Sequence, residues 1–67
     1  MKFDELDAVK TLKSFPNDGI RMGDIGTIVM AFITPNEAYE VEFLNNDGST
    51  KAMFAIDPED LCLYAQI

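Results

Sequence analysis

The sequence contains no histidine and a single cysteine, Cys62. Without histidine there is no Ser–His or Cys–His nucleophilic site, and the commonest zinc ligand is missing. One cysteine permits no disulfide within the chain. Cys62 lies in an apolar stretch with no basic neighbour in sequence, the setting of a packing or surface thiol and not of a nucleophile. Cations are also scarce. Five Lys and Arg face twelve Asp and Glu, giving a net charge of −7. Bare nucleic acid and anionic membrane surfaces need the opposite balance, so neither is expected as a direct partner. A basic protein is the natural complement. Net negative charge also keeps a small protein soluble, whatever it binds.

No long apolar run is present. The longest nearly uncharged segment, Ile25 to Asn36, is too short to cross a bilayer. The opening Met1-Lys2-Phe3-Asp4-Glu5 is not followed by an apolar leader, and with an unpaired cysteine this predicts a cytoplasmic protein. Sixty-seven residues make one domain, 1–67. A chain of this size buries only roughly 60% of its unfolded surface. A closed barrel or a homodimer is one way to bury enough. At 48% hydrophobic residues the chain is too apolar to be a disordered tail.

What is present reads as short strands separated by turn signals, with no repeat or linker. Leu6 to Leu12 is the first predicted strand, with Val9 inward and Lys10 outward. Lys13 to Met22 is a long polar connection, turned by Pro16-Asn17-Asp18-Gly19. Gly23-Asp24-Ile25-Gly26-Thr27-Ile28-Val29 enters the second strand, which runs on to about Ile33. Its glycines mark a bulge, a bend or a close backbone approach, and no phosphate loop, because a strand follows and the third glycine is missing. Thr34-Pro35-Asn36 is a turn. Glu37 to Leu44 is the third strand, with Tyr39, Val41 and Phe43 on the core face and Glu40 and Glu42 in water.

Asn45-Asn46-Asp47-Gly48 is the strongest hairpin signal. The strand after it, Ser49 to Ile56, places Ala52, Phe54 and Ile56 inward and Lys51, Met53 and Ala55 outward. A one-residue slip would exchange these faces. Asp57-Pro58-Glu59-Asp60 reads as a 3₁₀ turn capped by the Asp57 side chain. Leu61 to Gln66 is the last strand. The predicted fold is therefore all-β: a small five-stranded SH3-like barrel with a single 3₁₀ turn before the last strand.

The stretches Gly23 to Val29 and Glu37 to Phe43, with Asp47-Gly48, Ala52 and Pro58, resemble a small bacterial family known as a domain of unknown function (number 4926). The likeness runs from about Phe3 to Leu61. The Gly-Asp-x-Gly-Thr-x-Val stretch at 23–29 also resembles, more weakly, the KOW motif of ribosomal and transcription-factor domains. The family resemblance implies small cytoplasmic bacterial proteins encoded beside candidate toxin genes, which suits an immunity protein or antitoxin. KOW proteins that touch RNA are typically basic. This chain is acidic, so RNA binding is not carried over.

Catalysis is not expected. Glu40 and Glu42 share a strand face about 6–7 Å apart, within the carboxylate spacing of glycosidases. A general acid, however, needs burial in a cleft, and a small barrel fills its interior with its own core. Asn45, Asp47 and Gly48 match part of a calcium loop, but its first and twelfth positions would fall on Phe43 and Phe54. No cofactor or metal is expected.

The remaining feature is the acidic surface. Glu37, Glu40, Glu42 and Asp47 lie on or beside one hairpin. Asp57, Glu59 and Asp60 form a second cluster, and Asp4, Glu5 and Asp7 a third. Lys10, Lys13 and Arg21 flank the first long loop, away from these clusters in sequence, with Lys2 and Lys51 outside it. The first seven acids are the candidate partner-binding residues. Phe15, Ile20 and Met22 either anchor a partner or cap the barrel end. The leading function is a non-catalytic protein-binding module, an immunity protein or antitoxin masking a basic, nuclease-like toxin. One alternative is an accessory domain that self-associates or joins a larger complex, a homodimer forming through the uncharged final strand. Another is a nucleic-acid mimic that inhibits a nucleic-acid-binding enzyme.

Overall fold

Alternation along the middle of the chain orients the sheet. The computed structural model describes residues 2–64. Its strands are β1 (Ala8–Thr11), β2 (Ile25–Phe32), β3 (Ala38–Leu44), β4 (Thr50–Ile56) and β5 (Leu61–Leu63). All pairings are antiparallel, in the order β4-β3-β2-β1-β5. A 3₁₀ turn, Pro58–Asp60, precedes β5, as the sequence predicts. Among the described residues no ladder joins the edge strands β4 and β5.

Tyr39, Val41 and Phe43 are buried, as their spacing requires. Around them pack Phe3, Val9, Ile20, Ile28, Ile56 and Leu61. Phe15, Ala31, Ala52 and Phe54 add a half-buried shell. The faces of β4 are therefore the expected ones, with Ala52, Phe54 and Ile56 inward. Phe15 and Ile20 cap the core, the Phe15 ring meeting Phe54 edge-on at 5.2 Å. Met22 stays 65% exposed, so only it remains available as a loop anchor.

Several local expectations are corrected. β1 starts at Ala8 and not Leu6, because Leu6 has φ +73 in a turn closed by the Asp7 N–H donating to Asp4 O. β2 starts at Ile25 because Gly23, with φ +94, belongs to the preceding turn. The first long connection holds a second 3₁₀ turn, Pro16–Asp18, started by proline and ended by Gly19 at φ +70. β5 ends at Leu63, and residues 65 and 66 of the predicted last strand lie outside the described residues.

Asp57 does not cap its turn through its side chain. The Asp60 N–H donates instead to the Asp57 backbone oxygen. Lys51 also leaves the outward row. The register shifts between Phe43 and Leu44, so Lys51 has no cross-strand partner and lines a pocket with Ile20, Asp24 and Asn46.

Thr11 is the one buried polar residue among those described. Its hydroxyl donates to Arg21 O at 2.9 Å and accepts from the Gly23 N–H at 3.1 Å. It ties the base of the first connection to β1.

Gly26 fixes how closely β3 approaches β2. It is buried, opposite Val9 on β1. A Cβ there would stand 2.9 Å from Phe43 Cε1, 3.0 Å from the Glu42 backbone oxygen, and closer still to Val41 Cγ1. Overpacking of this kind costs about 1–3 kcal/mol. Gly26→Ala is therefore expected to lower urea-unfolding stability by about 2 kcal/mol or more. Adding Val41→Ala removes the closest clash, so the double variant should lose less than the sum of the two single ones.

Candidate protein-binding face

The seven acidic candidates divide by what each already bonds. Glu37 belongs to a latch over the N-terminal segment. The Tyr39 hydroxyl donates to Glu37 Oε2, and the Lys2 N–H donates to the same oxygen at 3.1 Å. The Tyr39 hydroxyl in turn accepts from the Lys2 and Phe3 N–H groups at 3.0 and 3.2 Å. Phe3 packs edge-on against the Tyr39 ring at 5.2 Å. Glu37 is thus engaged in the fold. Asp47 is engaged too, accepting the Ser49 N–H at 2.9 Å and the Ser49 hydroxyl at 2.6 Å inside the hairpin turn.

The cluster at 57–60 has cations beside it in space that it lacks in sequence. Lys13 Nζ lies 3.5 Å from Asp60 Oδ2. Lys2 Nζ donates to Pro58 O at 3.2 Å. Segregation of charge along the chain therefore does not survive folding at this end of the molecule. Asp57 and Glu59 remain exposed there.

Glu40 and Glu42 differ from the rest. They occupy the face of β3 opposite Tyr39, Val41 and Phe43. Both are half-buried, not fully in water as alternation alone suggests. The cause is their neighbours. Glu40 stands between Met30 of β2 and Ala55 of β4. Glu42 stands between Thr27 and Met53, and its Oε2 accepts the Thr50 hydroxyl at 2.6 Å. Among the described residues no cation lies within ion-pair distance of either carboxylate.

The apolar part of this face escaped the sequence reading. A register shift between Ile28 and Met30 absorbs Val29 and brings Met30 outward beside Glu40, and Phe32 outward beside Ala38. Met30 is 50% exposed and Met53 is 53% exposed. Strict alternation through Ile28 would have put Met30 inside. No pattern in the sequence marks where the shift occurs.

The pocket of about 260 Å³ between the first connection and the β3–β4 hairpin is lined by Asp24, Lys51, Asn46 and the core edge. It falls below the roughly 300–1,000 Å³ of typical ligand sites. Among the described residues no group of His, Cys, Asp or Glu is arranged to hold a metal. Cys62 is half-buried opposite Lys10. No helix of the described residues is long and apolar enough to cross a membrane.

The latch titrates at both ends of the pH scale. The Tyr39 hydroxyl and then the Lys2 N–H hold the Glu37 carboxyl below its ordinary pKa. Its contribution to stability is therefore complete above the ordinary carboxylate range and is lost as pH falls through the folded pKa. Burial first, and the Glu37 bond second, raise the Tyr39 pKa. Its contribution is complete below the ordinary tyrosine pKa and is lost as pH rises through the folded one. Tyr39→Phe should accelerate exchange of the Phe3 amide and cost about 1–3 kcal/mol, because buried N–H partners lose their acceptor. It should also abolish the alkaline transition that this phenol causes. Amide exchange and pH-dependent unfolding measure both effects.

No curated protein and no solved structure matches this chain. The family model described as Domain of unknown function (DUF4926) matches residues 5–63, the span holding all five strands, the β2–β3 approach and the Glu40–Glu42 face, and the chain belongs to that family.

Proposed function

We propose that the chain is a non-catalytic, acidic protein-binding module, of the immunity-protein or antitoxin kind, whose partner is a basic protein such as a cationic nuclease. The observation that carries this reading is the Glu40–Glu42 pair: two half-buried carboxylates on an interior strand, with no cation within ion-pair distance among the described residues. Carboxylates so placed are open to pairing with a partner's Lys or Arg. Five antiparallel strands and the 3₁₀ turn before β5 support an SH3-like reading of the fold. Net charge of −7 favours steering of a basic partner at long range.

Self-association is the second reading, favoured by the free edge of β4, which holds no proline or acidic residue over Thr50–Ile56. Salt separates the two. Capture of a basic partner weakens as salt rises, because the Debye length shrinks from about 10 Å at 0.1 M to about 3 Å at 1 M. Pairing of two chains of like charge strengthens under the same change. The test is co-expression with the adjacent gene product, followed by pull-down and calorimetry across a salt series. A complex that rescues growth and weakens with salt is the expected outcome. A product that is neither toxic nor bound sinks the proposal, and light scattering that shows a dimer favoured by salt supports the second reading.

A further inference from the structure

We propose that the outer face of β2, β3 and β4 is a seat for one amphipathic α-helix of a partner protein, carrying Arg or Lys along its centre line and apolar residues on both flanks. This inference rests on reading the chain as a protein-binding module and names the element that is bound. The face has a definite layout. Glu40 and Glu42 form its centre row on β3. Met30 and Phe32 form one wall on β2, and Met53 forms the other on β4. Ala38 lies two residues from Glu40 on the same strand, and Ala55 lies directly across from it. Both are small, so on the Ala38 and Ala55 sides no long neighbour stands against the half-buried Glu40, and Met30 flanks it from β2.

The dimensions select the occupant. Met30 and Met53 sit on strands separated by two sheet spacings, about 9–10 Å. One α-helix, about 10–12 Å across with its side chains, covers that width. A strand added to the free edge of β4 would lie beside Met53 and leave Met30 untouched. Charge selects the helix's sequence. Among the described residues the two carboxylates have no cation within ion-pair distance, and Glu40 accepts no side-chain hydrogen bond. An arginine suits Glu40 best, since its fork pairs with a carboxylate while its stem packs on methionine. Two flexible methionine side chains also let the walls adapt to the helix that arrives.

The probe is a synthetic helical peptide of about 18 residues, long enough to hold a helix, with a central row of Arg flanked by Leu. Its controls are the same residues scrambled to remove the helical period, and an oligoarginine of equal charge. Titration into the labelled protein should shift the signals of Met30, Phe32, Glu40, Glu42 and Met53. Glu40→Gln with Glu42→Gln should weaken binding by about tenfold. Met30→Ser with Met53→Ser should weaken it as well. Neither pair should lower the melting temperature, because all four side chains are partly or largely exposed. Equal binding of the scrambled peptide or the oligoarginine overturns the proposal, as do shifts centred on residues 57–60. Failure of this face and failure of the broader reading are distinguishable. If the adjacent gene product binds wild type and E40Q/E42Q equally, the face is not the interface and the module stands. If the helical peptide binds here and that product does not, the face stands and the toxin-neutralising role falls.

Discussion

The close approach of β3 to Gly26 is the constraint on which the rest of the structure depends. Val41 and Phe43 occupy the space that a side chain at position 26 would fill. That contact lets one small sheet bury Tyr39, Val41 and Phe43 against residues of β1, β2 and the first connection. A chain of this length has few core residues to spare, and it has no disulfide to compensate for a loosened sheet. The Phe15–Phe54 and Phe3–Tyr39 ring contacts close the two ends of the same core. The fold is held by packing across the sheet, with one backbone position setting the distance.

A consequence of inward packing on β3 is that its other face is fixed just as firmly. Tyr39, Val41 and Phe43 cannot turn outward without emptying the core, so Glu40 and Glu42 cannot turn inward. Two like charges on one strand, about 7 Å apart, lie within a Debye length of each other, and neither has an ion-pair partner among the described residues. Three of the other candidate acids do contribute to the fold, while Asp57 and Glu59 stay exposed. Glu37 secures the N-terminal segment, Asp47 organises the hairpin turn, and Asp60 meets Lys13. Half-burial beside Met30 and Met53 distinguishes the Glu40–Glu42 face from the exposed Asp57 and Glu59 and from the overall negative charge.

Much of the fold is legible in the sequence because its signals are local. Tyr39-Glu40-Val41-Glu42-Phe43 states its own two faces, Asp47-Gly48 states a hairpin, and Asp57-Pro58-Glu59-Asp60 states a short turn. Signals that depend on a partner strand are not legible. The shifts at Ile28/Met30 and Phe43/Leu44 arise where two strands of unequal local length are matched, and they move Met30 outward and Lys51 out of line. Asp57 shows the same limit. Its residue type favours a side-chain cap, but the turn closes through its backbone oxygen.

The sequence by itself determined the all-β class, the order of the strands, the inward row of β3 and the family to which the chain belongs. The first three follow from residue periodicity and turn chemistry along single segments, and the family from the likeness of residues 5–63 to its model. Only the tertiary structure decided which charges remain uncompensated and which apolar side chains stand beside them. Lys13 reaches Asp60 from a distant part of the chain, and Met30 and Met53 come to flank the glutamates only through strand pairing. Charge compensation and exposure are properties of neighbours in space, and the chain folds to bring together residues that its order keeps apart.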